Sequence, residues 1–168
     1  VGIKRLNPKI PGVLVAVVVT TLISWLSGFE NNMKAGVLLI ESSEVKNSIR
    51  EFNQTIDKIE KAAEQRIQIS GEIRDAEKKY GEHSIEIIEP HHQMQLLNLK
   101  TKELNEELQS HRYQLRAARF EAVKEADGKL RFYIQGQLPP NKKNDGNEWR
   151  LKIGNVKLDE TAISLIGG

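Results

Sequence analysis

Between Lys9 and Glu30 the chain runs for twenty residues, Ile10 to Phe29, without a single charge. At about 1.5 Å per helical residue such a run reaches roughly 30 Å, the thickness of a bilayer's hydrocarbon core. Its centre, Val13 to Val19, is apolar on every side, with neither helical nor strand alternation. Pro11 and Gly12 stand where a helix would start, and proline is tolerated in a first turn because its missing donor would be unpaired anyway. Trp25 lies near the far end, where an indole can sit at an interface. A buried strand stops sooner than this run does. A secretory signal needs small residues at −3 and −1, and cuts after Ser24, Ser27 or Gly28 leave Leu22, Trp25 or Leu26 at −3. A buried soluble helix would need apolar surroundings that the rest of the chain does not offer. The run therefore predicts a transmembrane helix. Lys4, Arg5 and Lys9 precede it, whereas Lys34 beyond it is cancelled by Glu30, so residues 1–9 are expected in the cytoplasm and the remainder outside the cell or inner membrane.

Charge is unevenly spread. Residues 1–29 carry +3, residues 41–127 carry −4 and residues 128–168 carry +3, within a total of +2. A total this small, with no clustered basic face, argues against nucleic acid as a partner. The absence of cysteine excludes disulfides, thiolate metal sites and a cysteine nucleophile. The chain opens on Val1 and closes on Gly167-Gly168 after the apolar run Ala162 to Ile166, so it reads as an excerpt whose residues 161–168 begin a further membrane segment.

From Val45 onward the apolar positions fall on a seven-residue frame. One set is Ile49, Ile56, Ala63 and Ser70, beside Val45, Phe52, Ile59, Arg66, Ile73 and Tyr80. A second frame holds Leu97, Leu104, His111 and Ala118, beside Met94, Thr101, Leu108, Leu115 and Ala122. These are coiled-coil seams with polar flanks. Gly81 to Ser84 and Glu89-Pro90 interrupt them, so an antiparallel hairpin over 45–127 with its turn at about 81–90 is expected. Folding about position 85 would pair Ile73 with Leu97, Ala63 with Leu108 and Ile56 with Leu115. Residues 31–44 read as a linker. Residues 128–160 read as a small β-hairpin region: Leu130, Phe132 and Ile134 alternate with polar neighbours, as do Trp149, Leu151 and Ile153, and Gly154-Asn155 is a two-residue hairpin signal. The expected fold class is thus mainly α: an N-terminal transmembrane helix, a long coiled-coil hairpin and a short β segment.

No catalytic constellation emerges, and the chain is not expected to be an enzyme. His91 and His92 point about 100° apart on a helix, and with His83 they lie at the hairpin's polar tip, without acid or cysteine ligands at a metal-binding spacing. The glutamates of 41–127 alternate with lysine and arginine, as on a solvated coiled-coil surface. There is no phosphate-cradling glycine loop and no nucleophile elbow. Asn53-Gln54-Thr55 matches a glycosylation acceptor, but mid-helix. Neither a cofactor nor a metal is expected.

The stretch Lys4-Arg5-Leu6-Asn7-Pro8-Lys9-Ile10-Pro11-Gly12, its Val/Ala-rich continuation and Ser24-Trp25-Leu26 resemble one transmembrane segment of the sulfate permease (SulP) family. Members show a basic stretch, a Pro-x-Ile-Pro-Gly turn and a span ending in a Ser-Trp-Leu-like sequence. The resemblance covers about 30 of the 168 residues. It implies secondary transport of an inorganic anion, with the lipid bilayer and that anion as partners, through a membrane domain of inverted repeats. Pro8, Pro11 and Gly12 would serve as the turn that opens the span. The family's substrate-binding half-helices and its cytoplasmic regulatory (STAS) domain have no counterpart in these residues, so no substrate-binding residue is assigned. The hairpin would be an extracytoplasmic insertion in a loop, its tip open to a protein partner. The competing expectation is a single-span, membrane-anchored adaptor similar to the periplasmic adaptors of export systems.

Overall fold

A computed structural model of the chain describes residues 17–20 and 31–168. Most of the expected span at 10–29, and Pro8, Pro11 and Gly12 with it, lie outside the described residues. Val17 to Thr20 form one helical turn, in which the Thr20 hydroxyl donates to the Val17 carbonyl at 3.0 Å. Among the described residues no helix is long and apolar enough to cross a membrane. The mainly α expectation, with its N-terminal transmembrane helix, is corrected accordingly. The described part is 55% helix and 18% strand, a mixed α/β structure built on a curled, five-stranded antiparallel sheet.

Two long helices form the stalk. Helix α1, Ser43–Tyr80, starts where the Val45 amide donates to the Ser42 hydroxyl at 3.3 Å, with Glu44 in the first turn. It stops at Gly81, whose φ of 89° only glycine adopts easily, after Lys78 and Lys79 in the last turn. A turn at 81–87 leads into α2, Ile88–Ala117, which packs antiparallel on α1.

The seam on α1 differs from a strict heptad. Ala62, not Ala63, is buried, and Arg66 and Ser70 are exposed, while Ile69, Ile73 and Ala76 are half-buried. A straight helix drifts about 20° per heptad against a 3.5-residue repeat, so the buried stripe slides around it. The turn is also tighter than the interruption at 81–90 suggests. Leu97 lines one groove with Ile69, and Leu108 another with Ile56 and Ile59, about one helical turn nearer the foot on α1 than the pairs expected for a fold about position 85.

Helix α2 ends ten residues before the expected limit of the hairpin at 127. Ala118 turns extended, at φ −61° and ψ 130°, and the Arg119 guanidinium donates to the Arg116 carbonyl at 2.7 Å, occupying one of the helix's last acceptors. Beyond it Phe120 and Ala122 alternate with Arg119 and Glu121, a strand's period of two. Ala118 and Ala122 fit the helical frame by spacing alone; Ala122 is a fully buried strand residue.

The sheet comprises β1 (Asn31–Ala35), β2 (Arg119–Lys124), β3 (Leu130–Ile134), β4 (Glu148–Leu151) and β5 (Ile163–Gly167), in the order β1-β5-β4-β2-β3. Three expectations are corrected here. The linker at 31–44 contains an edge strand. The apolar run at 161–168 is not the start of a membrane segment but an inner strand, with Ile163, Leu165 and Gly167 turned into the core. Gly154-Asn155 makes no two-residue hairpin; it lies in the loop that carries β4 to β5.

Chain residues on both sides of the stalk meet at its foot. Ile40 bridges to Phe132 in parallel, and the Glu41 amide donates to the Phe132 carbonyl at 2.7 Å, so the segment leaving β1 reaches the opposite edge of the sheet. Phe52, Ile49 and Val45 of α1 and Leu115 of α2 press into the face formed by Phe120, Phe132, Trp149, Leu151, Ile163 and Leu165. Phe132 and Trp149 meet edge to face, with ring centroids 5.7 Å apart.

Candidate functional site

The stalk divides into a well-packed lower half and a sparsely packed upper half. From Val45 to Ala62, α1 buries Val45, Ile49, Phe52, Thr55, Ile56 and Ala62. From Ala63 to Tyr80 none of its residues is fully buried, and α2 contributes only Leu97 to that level of the pair. Two helices alone bury one stripe each, and here the outward stripe is apolar as well: Leu96 is 53% and Leu99 61% exposed. An open groove lies between the helices at this height, its floor made of Ile69 and Leu97 and its rims of Gln65, Gln68, Glu72, Gln93, Leu96 and Lys100.

At the tip, Ile87 is buried while Ile85 and Ile88 stand out, 77% and 62% exposed. Lys79 places its ammonium 4.8 Å from the centroid of the Tyr80 ring. His83, His91 and His92 line a shallow concavity with Glu82, Ser84 and Gln95. Among the described residues no group of three or more His, Asp or Glu side chains is placed to hold a metal ion. The tip thus offers mixed apolar and imidazole surface for contact, without a coordination shell.

Midway down, Thr55 is fully buried and its hydroxyl donates to Glu107 Oε1 at 3.0 Å. His111, expected in the seam, lies between two carboxylates: Nδ1 is 3.8 Å from Glu51 and Nε2 3.6 Å from Glu107. A polar layer therefore ties the two helices together just above the sheet, a feature that sets register in coiled coils.

The loop after β4 is clamped to the stalk. Asn53 reads the backbone of Leu158 with both ends of its amide: Nδ2 donates to the carbonyl at 3.0 Å and Oδ1 accepts from the amide at 2.8 Å. Lys157 forms ion pairs with Asp57 and Glu60, and Arg116 donates to the Ile153 carbonyl at 2.8 Å. The hydrogen bond to Asp57 holds the Lys157 ammonium above the usual lysine range. Within the loop, the hydroxyl and amide of Thr161 donate to Asp159 and keep its carboxyl below the ordinary range. On the far edge, Lys142 hydrogen-bonds Glu125 and the Tyr133 hydroxyl and is raised by both, and Arg131 is raised by its hydrogen bond to Glu41.

Sequence reasoning did not find this clamp. Asn53 stood out only within Asn53-Gln54-Thr55, and its partner lies 105 residues away. The turn joining β2 to β3 carries Asp127-Gly128, a hairpin signal that extending the helical frame to 127 passed over; Gly128 has φ 80° and the Lys129 amide donates to Asp127 Oδ1 at 3.0 Å. Compared with known protein-family models, with curated proteins and with solved structures, the chain matches none.

Proposed function

We propose that residues 31–168 are an accessory contact module inserted in an extracytoplasmic loop of a sulfate-permease-type anion transporter, and that the module does not itself pass the anion. The observation that carries the reading is the pairing of Asn31 with Gly167 across β1 and β5. Paired antiparallel residues have Cα atoms only about 4.5–5.5 Å apart, so the module takes in the chain and hands it back at one spot. A host loop can accept such a unit without distortion. The resemblance at residues 4–26 supplies the host, and the module's own chemistry supplies the exclusion. Residues 41–127 carry net −4, which repels an anion, and the grooves of the stalk are open rather than enclosing.

An adaptor role draws on a different feature, the convergence of strands from before and after the hairpin on its base. One experiment separates the two. Residues 31–168 are replaced by a short Gly/Ser linker in the protein that carries them, and sulfate uptake is measured beside expression and membrane insertion. Retained uptake supports the accessory module. Uptake lost with normal insertion would place the module in the transport pathway, and a parent protein that transports no anion would leave the adaptor role in its place.

A further inference from the structure

The sequence holds two Asp-Gly steps, Asp127-Gly128 and Asp145-Gly146, and all four residues are exposed. Glycine after aspartate has no Cβ to crowd the approach of its nitrogen to the carboxyl, so either step can close into a ring. We propose that Asp145-Gly146 is a site of spontaneous backbone modification, where Asp145 isomerises through a cyclic imide to isoaspartate, and that the fold spares Asp127. This inference does not rest on the transporter reading.

Both steps form an Asx turn. The Lys129 amide donates to Asp127 Oδ1 at 3.0 Å, and the Asn147 amide donates to Asp145 Oδ1 at 3.1 Å. Such a turn folds the carboxyl back over the next peptide, where the reacting nitrogen lies. The two nitrogens differ. The Gly128 amide donates to the Glu125 carbonyl at 2.9 Å, and attack from it must first break that bond. The Gly146 amide donates to nothing among the described residues. The carboxylates differ too. Trp149 Nε1, at 2.9 Å, and Asn147 Nδ2, at 3.2 Å, both donate to Asp145 Oδ2, whereas Asp127 Oδ2 accepts no bond among the described residues.

In the reaction the Gly146 nitrogen bonds to Asp145 Cγ and gives its proton to water. The Cγ–Oδ2 bond then breaks, and Oδ2 leaves as water after taking two protons from solvent. The Asn147 amide faces Oδ1, which carries the charge of the tetrahedral intermediate, and the two donors on Oδ2 ease its departure. Water next opens the imide. Addition at the Asp145 main-chain carbonyl breaks its bond to nitrogen and leaves the chain running through Cγ; addition at Cγ restores aspartate. Nothing is oxidised or reduced. The added main-chain methylene displaces the carboxylate from Trp149 Nε1, so the change reaches an indole buried in the core.

The whole chain, kept in detergent because of the apolar run at 10–29, is held warm at neutral pH, then cleaved and read by electron-transfer fragmentation, which tells isoaspartate from aspartate. Isoaspartate should accumulate several-fold faster at 145 than at 127. In urea, where both steps lose their turns, the two rates should converge, which separates the fold's part from the sequence's. Asn147→Ala removes one donor from Oδ2 and keeps the amide on Oδ1, and it should slow the reaction at 145 in the folded chain. Equal rates in the folded chain, or a faster reaction at 127, overturn the proposal. So does a bias towards 145 that persists undiminished in urea, or an Asn147→Ala variant that reacts no more slowly at 145.

Discussion

The indole of Trp149 lies flat over Gly167, its partner across β4 and β5, so closely that a Cβ on Gly167 would stand 3.0 Å from Cζ3 and 3.1 Å from Cε3 and Cη2. The ring has nowhere to go. Its edge abuts Phe132, its Nε1 donates to Asp145 at 2.9 Å, and the whole residue is buried. Glycine is needed at 167 for this approach and not for its backbone, which is ordinary strand.

Gly167→Ala should therefore destabilise the module, although glycine to alanine in an unstrained strand usually gains a few tenths of a kcal/mol through the unfolded chain. Overpacking of about 1–3 kcal/mol outweighs that gain. Urea unfolding followed by tryptophan fluorescence measures it. Pairing the change with Trp149→Leu should remove most of the penalty specific to Gly167, and purely additive losses would show that the indole is not the obstacle.

Asn53→Ala should cost on the order of 1–3 kcal/mol, because it leaves the Leu158 amide and carbonyl, both part of the clamped loop, without their partner. Asn53→Asp should be no milder: it keeps an acceptor for the amide but turns a carboxylate towards the Leu158 carbonyl and Glu160. The same geometry bears on Asn53-Gln54-Thr55. The folded chain should carry no glycan there, since the amide is occupied and Thr55 is buried. Intact mass after secretion through a glycosylating pathway checks this.

Much of the stalk was legible because helical periodicity repeats over many turns and each turn restates it. Its two helices and the break near Gly81 follow from that pattern. The sheet was not legible as a sheet. Its strands hold only four to six residues each, and β1 and β5 sit at opposite ends of the described module, so no local pattern announces that Met33 pairs with Leu165. Ile163 to Ile166 is apolar but for Ser164, and membrane and sheet interior want the same residues; its pairing with β1 and β4, Leu165 to Met33 and Gly167 to Trp149, makes it an inner strand. Ala122 failed for a related reason, since a small apolar residue fits a helix seam and a strand equally well.

Stability should fall at both ends of the pH scale, for reasons of opposite sign. The Asp159 carboxyl titrates below its ordinary 3.8 in the folded chain, so its contribution is full above that value and lost as pH falls through the lower folded one. Thr161→Val, which deletes the hydroxyl donor, should shrink the acid-side loss. Lys157 titrates above its ordinary 10.5, so its contribution is full below that value and lost as pH rises through the higher folded one. Lys157→Met should flatten the alkaline side. Melting temperatures across the two ranges test both; an unchanged alkaline slope in Lys157→Met would remove the ion pairs with Asp57 and Glu60 from the account.

The two halves of the stalk should also differ in local stability. Ile56 and Leu115 belong to the core shared with the sheet, and opening them exposes the hydrophobic foot of the module. Ile56→Asp and Leu115→Asp should each unfold it, since a carboxylate placed there has no partner and too little water. Ile73, by contrast, is half-buried in a stretch of α1 with no fully buried neighbour in its own helix, so Ile73→Asp should leave the lower stalk and the sheet folded. Amide hydrogen exchange resolves the difference along one helix. Amides from Ala63 to Tyr80 should open by local fraying at a small fraction of the global free energy, and those from Val45 to Ala62 only with global unfolding. Uniform protection along α1 would mean that the upper stalk is as stable as the foot.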